Sequence, residues 1–302
     1  MIALRGVGKT YAPLLGAPVR AVTDVSLEIV AGEVMGIAGP NGAGKSTLIA
    51  MLLGLLAPTD GAITIDGSSP RAFVEREGVA YLPELMTFPL GWTVQQTLER
   101  LAILAGIPAA QRARAVTAAI AELEIGEHAA KKLKELSKGN LQRVGLAQTL
   151  LSPDARVMIF DEPTHGLDPV WTQRFRDLVV RLRGSGRAIL IASHDLDELE
   201  RLCDRVAIID RGRIQRVVTF ATHEGAVVER WRIRVVEGVE AFRARCPEAE
   251  PGTGGGEWII AAPDARALSQ LLAGALAAGV IISEVAPAQS VLASAFHASV
   301  RR

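Results

Sequence analysis

Nine consecutive residues, Gly39-Pro-Asn41-Gly42-Ala-Gly44-Lys45-Ser46-Thr47, place three glycines, a lysine and two hydroxyls directly after an apolar run, Val34–Ala38. Glycines let main-chain N–H groups turn inward around phosphate oxygens, and a helix starting here adds the partial positive charge of its N-terminus. Lys45 would reach the terminal phosphates and Ser46 would offer its hydroxyl to Mg²⁺. The pattern reads as a nucleoside triphosphate cradle. A glycine turn with an incidental lysine is the plain alternative.

A second apolar run, Val157-Met-Ile-Phe160, leads straight into Asp161 and Glu162. Asp161 suits the shell of Mg²⁺, directly or through water, and Glu162 is placed to polarise an attacking water. An acidic turn that caps the next element is the competing reading. Guanine recognition needs an Asn-Lys-x-Asp element, yet the chain has only Asn41 and Asn140, and neither precedes a lysine. A GTPase of the common type is excluded. Between the two groups, Leu136-Ser137-Lys138-Gly139-Asn140 opens a helix with Leu141, Val144, Ala147 and Leu151 on its apolar face.

The elements that must position these groups follow from patterning. Three apolar runs, 34–38, 157–160 and 188–192, are each followed by polar residues and then by helical spacing, as buried parallel strands are. Period-2 alternation over 21–30 and 62–66 predicts antiparallel strands. The expected core is therefore α/β with an antiparallel flank, and a helix over 48–56 follows the cradle. Thr93-Val-Gln-Gln96 is a capping box for a helix through Leu98, Leu101 and Ala105. With the Ala- and Glu-rich stretch 109–130, it predicts a helical block between the first and second parallel strands. After Val206–Asp210 and the turn at Arg211-Gly212, patterning restarts at 231–236. A glycine cluster at 252–256, a strand at 258–262 and a helix over 265–278 follow, so a domain boundary is expected near 221.

Composition bounds the class. Across 302 residues, 49% are hydrophobic and 22% charged, with 33 basic against 33 acidic side chains, which excludes a fibre, a disordered tail and a small disulfide scaffold. The charge is balanced on both sides of residue 221, so neither part carries a nucleic-acid footprint and no nucleic-acid partner is expected. The longest apolar run, around Leu271 to Ile282, is interrupted by glycines and falls short of the roughly 20 residues that cross a bilayer. The N-terminal MIALRGVGKTYAP lacks an apolar signal core. The chain is expected in the cytosol unless another chain holds it at a membrane. Cys203 and Cys246 match no metal or redox spacing and read as reduced, structural thiols.

With these motifs in order, the chain resembles the nucleotide-binding subunit of ATP-binding cassette (ABC) transporters. The matching set is Tyr11 ahead of the first strands, the cradle at 39–47, a polar loop at Tyr81-Leu-Pro-Glu84, the signature at 136–140, the two carboxylates, Gly166-Leu-Asp168-Pro, and Ser193-His194. The resemblance covers about 1–220. It implies a P-loop NTPase core with an antiparallel β flank and a helical subdomain over about 85–150, followed by a small C-terminal α/β domain over 221–302.

In that family two cassettes pair head to tail, so that ATP in one cradle is also touched by the other subunit's signature. The resemblance thus implies ATP held by Gly39, Asn41, Gly42, Gly44, Lys45, Ser46 and Thr47, with Tyr11 stacked on adenine. It implies Mg²⁺ beside Ser46, Glu84 and Asp161, Glu162 as general base, and His194 on the γ-phosphate and water. Ser137 and the Gly139 N–H would face the γ-phosphate of the partner's nucleotide, and Asp168 would bridge the subunits. Tyr11 as a strand-edge aromatic and His194 as a helix-start residue stay open as alternatives.

Two positions depart from the family's pattern. Glu84 stands where Gln is usual, losing an amide donor and adding a charge. The signature reads Ser-Lys-Gly-Asn where Ser-Gly-Gly-Gln is commonest. Lys138, with the C-terminal extension, looks like the branch that includes drug and antibiotic self-resistance exporters. The expected partners are an integral membrane transporter subunit and a second cassette, a homodimer in the simplest case, which would hold the chain on the inner face of the cell membrane. The apolar segment Leu85-Met-Thr-Phe88-Pro-Leu90-Gly-Trp92 reads either as the docking anchor or as core packing. Lys131, Lys132, Lys134 and Lys138, four of the six lysines, read as a solvated basic turn or as a phosphate or headgroup contact. The other function class is a soluble cassette ATPase that remodels a nucleic-acid or protein partner. Absence of heptads and of a basic face weighs against it.

Overall fold

The computed structural model describes residues 1–12, 16–220, 229–252, 254–262, 265–288 and 291–300. Met1–Thr219 and Phe220–Ala298 form two compact units.

In the first unit, β1 (Ile2–Tyr11) pairs antiparallel with β2 (Val19–Ile29) on one side and β4 (Asp60–Ile65) on the other. Alternating burial along β2 puts Val25, Leu27 and Ile29 inward. The second sheet has the order β5-β6-β7-β3-β8-β9. Its strands are β3 (Val34–Ala38), β5 (Ala80–Leu82), β6 (Val157–Asp161), β7 (Ala188–Ser193), β8 (Arg205–Asp210) and β9 (Arg213–Thr219). The first five run parallel and β9 closes an antiparallel hairpin. Every residue of β3, β6 and β7 is buried, as covering a parallel sheet on both faces requires.

Helix α1 (Lys45–Leu52) joins the two sheets, since Leu48, Ile49 and Leu52 share one core with Leu4 and Ile29 of the antiparallel sheet and Ile37, Ile159 and Leu190 of the parallel one. Burial of a side chain of this size stabilises by about 1.5–3 kcal/mol, so this core fixes how the strand ends sit. Helix α6 (Pro169–Gly184) lies behind β6, with Phe175 edge-on to Phe160 at 5.6 Å. α2 (Pro70–Glu77), with Ser69 as its N-cap, leads into β5, and α7 (Leu196–Leu202), capped by Asp195, follows β7. The helical subdomain is α3 (Val94–Leu104), α4 (Ala109–Glu122) and α5 (Lys138–Thr149), with the capping box at Thr93 and Gln96 in place.

Four expectations need correction. Tyr11 does not precede the strands but ends β1. The helix after the cradle spans 45–52 rather than 48–56, because Gly44 in the left-handed region lets it start at Lys45 and the chain leaves it through Gly54 at φ 70°. Tyr81 and Leu82 are strand, not loop. Accordingly the helical block lies between β5 and β6, with β5 an additional parallel strand too short to register as a periodic run.

The second unit runs β10 (Glu229–Glu237), α8 (Val239–Arg245), β11 (Glu250–Pro251), β12 (Glu257–Ala262), α9 (Ala265–Ala277), β13 (Ile281–Pro287) and α10 (Val291–Ser299). The antiparallel order β11-β12-β10-β13 makes a split βαβ unit. Phe242 of α8 and Leu268, Leu272 and Ala275 of α9 share a core with Ile233, Val235 and Ile260, so both helices cover one face. On β10 the intervening Arg230, Arg232 and Arg234 pair with Glu250, Glu257 and Glu284. Across both units, patterning alone missed β1, α2, β9, α8, β11, β13 and α10. Cys203 and Cys246 are buried, and burial pushes both thiols up.

Candidate active site

The strand order brings chemistry together. β6, β7 and β3 are neighbours, and their C-terminal ends deliver Asp161–Glu162, Ser193–His194 and the 39–47 loop side by side. Ala38 is in register with Ser193, and Asp161 with Ala192. β5 lies beside β6 and carries Glu84 just past its end. A parallel sheet places ligands at this edge because its crossover helices begin there. The resulting cleft, about 500 Å³, is lined by Asn41–Thr47, Glu84, Asp161, Glu162 and His194, together with Ala21 and His165.

The loop is shaped for an anion. Gly44 caps α1 at φ 107°, and a Cβ there would sit 2.5 Å from the Ala21 carbonyl oxygen. Gly44 supplies no side-chain cap, and the first N–H groups of any helix lack a partner one turn back. Gly39 approaches the Ile209 carbonyl, where a Cβ would be 2.4 Å away. Lys45 is buried and its Nζ donates to the carbonyls of Gly39 (2.6 Å) and Pro40 (3.3 Å). The cation is thereby folded back into its own loop.

Glu162 is held on every side. Its N–H donates to the Ala192 carbonyl at 2.8 Å, and it sits at φ 49°, a region that costs a residue with a Cβ about 1–3 kcal/mol. Ser193 Oγ donates to one carboxylate oxygen at 2.9 Å, while the His194 N–H (2.9 Å) and Nδ1 (2.8 Å) both meet the other. A carboxylate only accepts, so His194 Nδ1 carries the hydrogen and Nε2 is the nitrogen left for a ligand. His194 itself is exposed.

Asp161 is 5% exposed, and its carboxyl is pushed up from 3.8 to about 6, first by burial, then by Glu84 and Glu162, with Lys45 opposing. A cation between these carboxylates would reverse that cost. Among the described residues no three His, Cys, Asp or Glu side chains gather as a self-sufficient metal site. Mg²⁺ needs none: it takes one or two carboxylates and completes its shell with phosphate oxygens and water. Asp161, Glu84 and the Ser46 hydroxyl are hard oxygen donors that fit this ion.

Other expected residues lie apart. Tyr11 does not line the cleft but adjoins it, its Oη 3.5 Å from Thr47 Oγ1 and its ring 5.7 Å from Lys9 Nζ. Ser137, Gly139 and Asp168 are also outside the lining. Ser137 caps α5, accepting from the Asn140 N–H at 3.2 Å, and Asp168 caps α6, accepting from the Trp171 N–H at 2.9 Å. Gly139 packs on the Gly166 turn, where a Cβ would lie 2.8 Å from the Gly166 carbonyl oxygen. Sequence reasoning missed His165 in the cleft and Gln142 behind it. The signal for His165 was its place between Glu162 and Gly166; Gln142 gave none, being one polar residue on a helix.

A family model described as ABC transporter matches residues 22–165. The methionine import ATP-binding protein MetN of Caulobacter vibrioides is 39% identical over 237 residues, spanning 76% of this chain and 68% of that protein. The Nod factor export ATP-binding protein I of Burkholderia orbicola is 38% identical over 220 residues, 70% of this chain and 68% of that one. Of two further relatives the chain spans only 56% and 57%. An ATP-binding cassette solved as a dimer in a post-hydrolysis state bound to ADP and Pi shares the fold, with TM-score 0.67, 24% identity, and coverage of 74% of this chain and 100% of that one. With its loop, paired carboxylates and strand order in place, the chain belongs to the ABC transporter ATP-binding family and is an ATP-hydrolysing cassette.

Proposed function

We propose that this cassette powers a membrane exporter by ATP-driven head-to-tail pairing of two copies. The observation that carries the pairing is the separation described above: the cleft holds everything a phosphate needs on one side, while Ser137 and Gly139, expected on the other, lie outside it. A second copy supplies them. Lys45 and Ser46 bind phosphate and Mg²⁺, Asp161 and Glu84 complete the ion's protein ligands, Glu162 is the general base, His194 meets the γ-phosphate, Tyr11 stacks on adenine and Asp168 bridges the copies. Residues 221–302 form an accessory domain.

Docking to a membrane subunit is assigned to the 85–92 segment. Leu85 and Leu90 are 78% and 53% exposed, and Phe88 and Trp92 are half-buried. The Leu133 and Lys134 N–H groups donate to the Trp92 and Leu90 carbonyls, which sets the lysine-rich turn beside this apolar loop. That pairing of grease and positive charge suits a membrane subunit bordered by anionic headgroups. Charged substitutions at Phe88 or Trp92 are expected to abolish co-purification with membranes while ATP binding persists. Unchanged co-purification would overturn the assignment.

The exporter direction rests on Lys138 and the C-terminal extension, and the relatives include ATP-binding proteins of both an importer and an exporter. In vesicles holding the complex of this chain with its membrane subunit, cargo added on the cassette side should raise ATP hydrolysis. Stimulation only from the far side would make it an importer. A soluble remodelling ATPase would respond to neither.

A further inference from the structure

We propose that Gln142 is a positioning residue for Glu162, and that through it the helix beginning at Ser137 governs the general base of its own subunit. This rests on the reading of Glu162 as base.

Gln142 lies on α5 and is 5% exposed. Its amide nitrogen donates to two successive carbonyls, those of Glu162 (3.2 Å) and Pro163 (2.8 Å). Both partners only accept, so the orientation of the amide is fixed by chemistry. The Glu162 backbone is in the left-handed region, a conformation that persists in a residue with a Cβ only where its surroundings over-determine it. β7 supplies part of that hold, taking the Glu162 N–H through Ala192 and the carboxylate through Ser193 and His194. Gln142 adds a hold from the opposite end of the residue, at the carbonyl. Pro163 has no N–H with which to brace this turn, so its carbonyl side is held by the amide together with the His165 N–H, which donates to the Glu162 carbonyl at 3.2 Å.

The same helix starts at the signature. Ser137 caps it, Lys138–Thr149 is unbroken, and Gly145, Leu146 and Ala147 are fully buried beyond Gln142. A helix this constrained moves as one piece. Its first turn is the part assigned to the partner copy's nucleotide, and its second turn grips the base of its own site. Engagement of ATP across the dimer is therefore felt at Glu162 without any change in the cradle. Loss of the amide would take from the Pro163 carbonyl its Gln142 donor, leave the Glu162 carbonyl with the His165 N–H alone, and let the turn relax.

The test uses the full chain and Gln142→Met, which keeps length and removes the donor. Turnover should fall about tenfold to a hundredfold, the scale for a reacting group misplaced by an ångström, with ATP affinity little changed. In a Glu162→Gln background the same substitution should cost nothing further, because the base it positions is gone. Should Gln142→Met fold poorly, Gln142→Asn, which withdraws the amide by one carbon, gives the same comparison with a smaller loss. Full turnover in a folded variant, or an equal loss in both backgrounds, would overturn the proposal. If Glu162→Gln alone hydrolyses ATP normally, it is the reading of the base that fails.

Discussion

The cleft and the Ser137 turn belong to one unit, yet they are built in opposite ways. In the cleft the chemical groups are held from within: Lys45 is bonded to its own loop carbonyls, and Glu162 to Ser193 and His194. The cost of holding such groups away from water is met within the chain. At the signature, Ser137 spends its hydroxyl on the Asn140 N–H, and Gly139 packs so closely on the Gly166 turn that a Cβ would meet its carbonyl oxygen at 2.8 Å. One region is preorganised for chemistry; the other is the part that the proposed pairing assigns to a second copy. The contrast teaches that binding and pairing are separable, and substitutions should separate them.

The largest effect is expected at Glu162. Glu162→Gln should lower hydrolysis by about 10² to 10⁴, the scale of losing a positioned general base, while ATP still binds. With hydrolysis blocked, size-exclusion in ATP should show a persistent dimer. Normal hydrolysis would mean that the base lies elsewhere. Lys45→Ala comes next and breaks the other half of the contrast, since removing a charge-assisted phosphate contact should weaken ATP affinity by about tenfold to a hundredfold in the monomer itself. Equilibrium binding of a fluorescent ATP analogue measures it.

Ser137→Ala should weaken pairing and leave ATP affinity of the monomer unchanged. It removes the α5 cap, worth about 1 kcal/mol, and the contact across the dimer, so ATP-dependent dimerisation weakens while monomer affinity matches the parent. Equal losses of both would erase the distinction between the two regions.

The smallest effect is a pH slope. Asp161 holds its proton to about 6 when folded, whereas its ordinary value is 3.8. Between about pH 4 and pH 6 the folded state therefore binds more protons than the unfolded one, and the stability of the nucleotide-free protein falls as pH rises through that window. Above it the slope vanishes. Thermal melts of Asp161→Asn should lack the slope. Because a cation needs the carboxylate form, stabilisation by Mg²⁺ with ATP should fade as pH drops below about 6.

Much of this was legible in sequence. The cradle, the paired carboxylates and the signature are contiguous, so their spacing alone carries their chemistry, and the capping box at Thr93–Gln96 is a local hydrogen-bond pattern that forms wherever a helix starts. The strands β3, β6 and β7 announce themselves because total burial leaves an unbroken apolar run. β5, three residues long, and β13, whose residues merge with the end of an apolar helix, give no such signal. The start of α1 at Lys45 was hidden because a left-handed glycine, not a side chain, caps it.

The sequence by itself determined which residues can grip phosphate, which can accept a proton, and which runs must be buried, since each depends on a residue's own chemistry and its near neighbours. Tertiary structure alone decided that the groups after β3, β5, β6 and β7, which follow the chain in that order, would stand along one sheet edge in the order β5-β6-β7-β3. It also decided that Gln142 would reach behind Glu162. Strand order is set by hydrogen bonds and packing between segments distant in the chain, and no local pattern encodes which strand will find which neighbour.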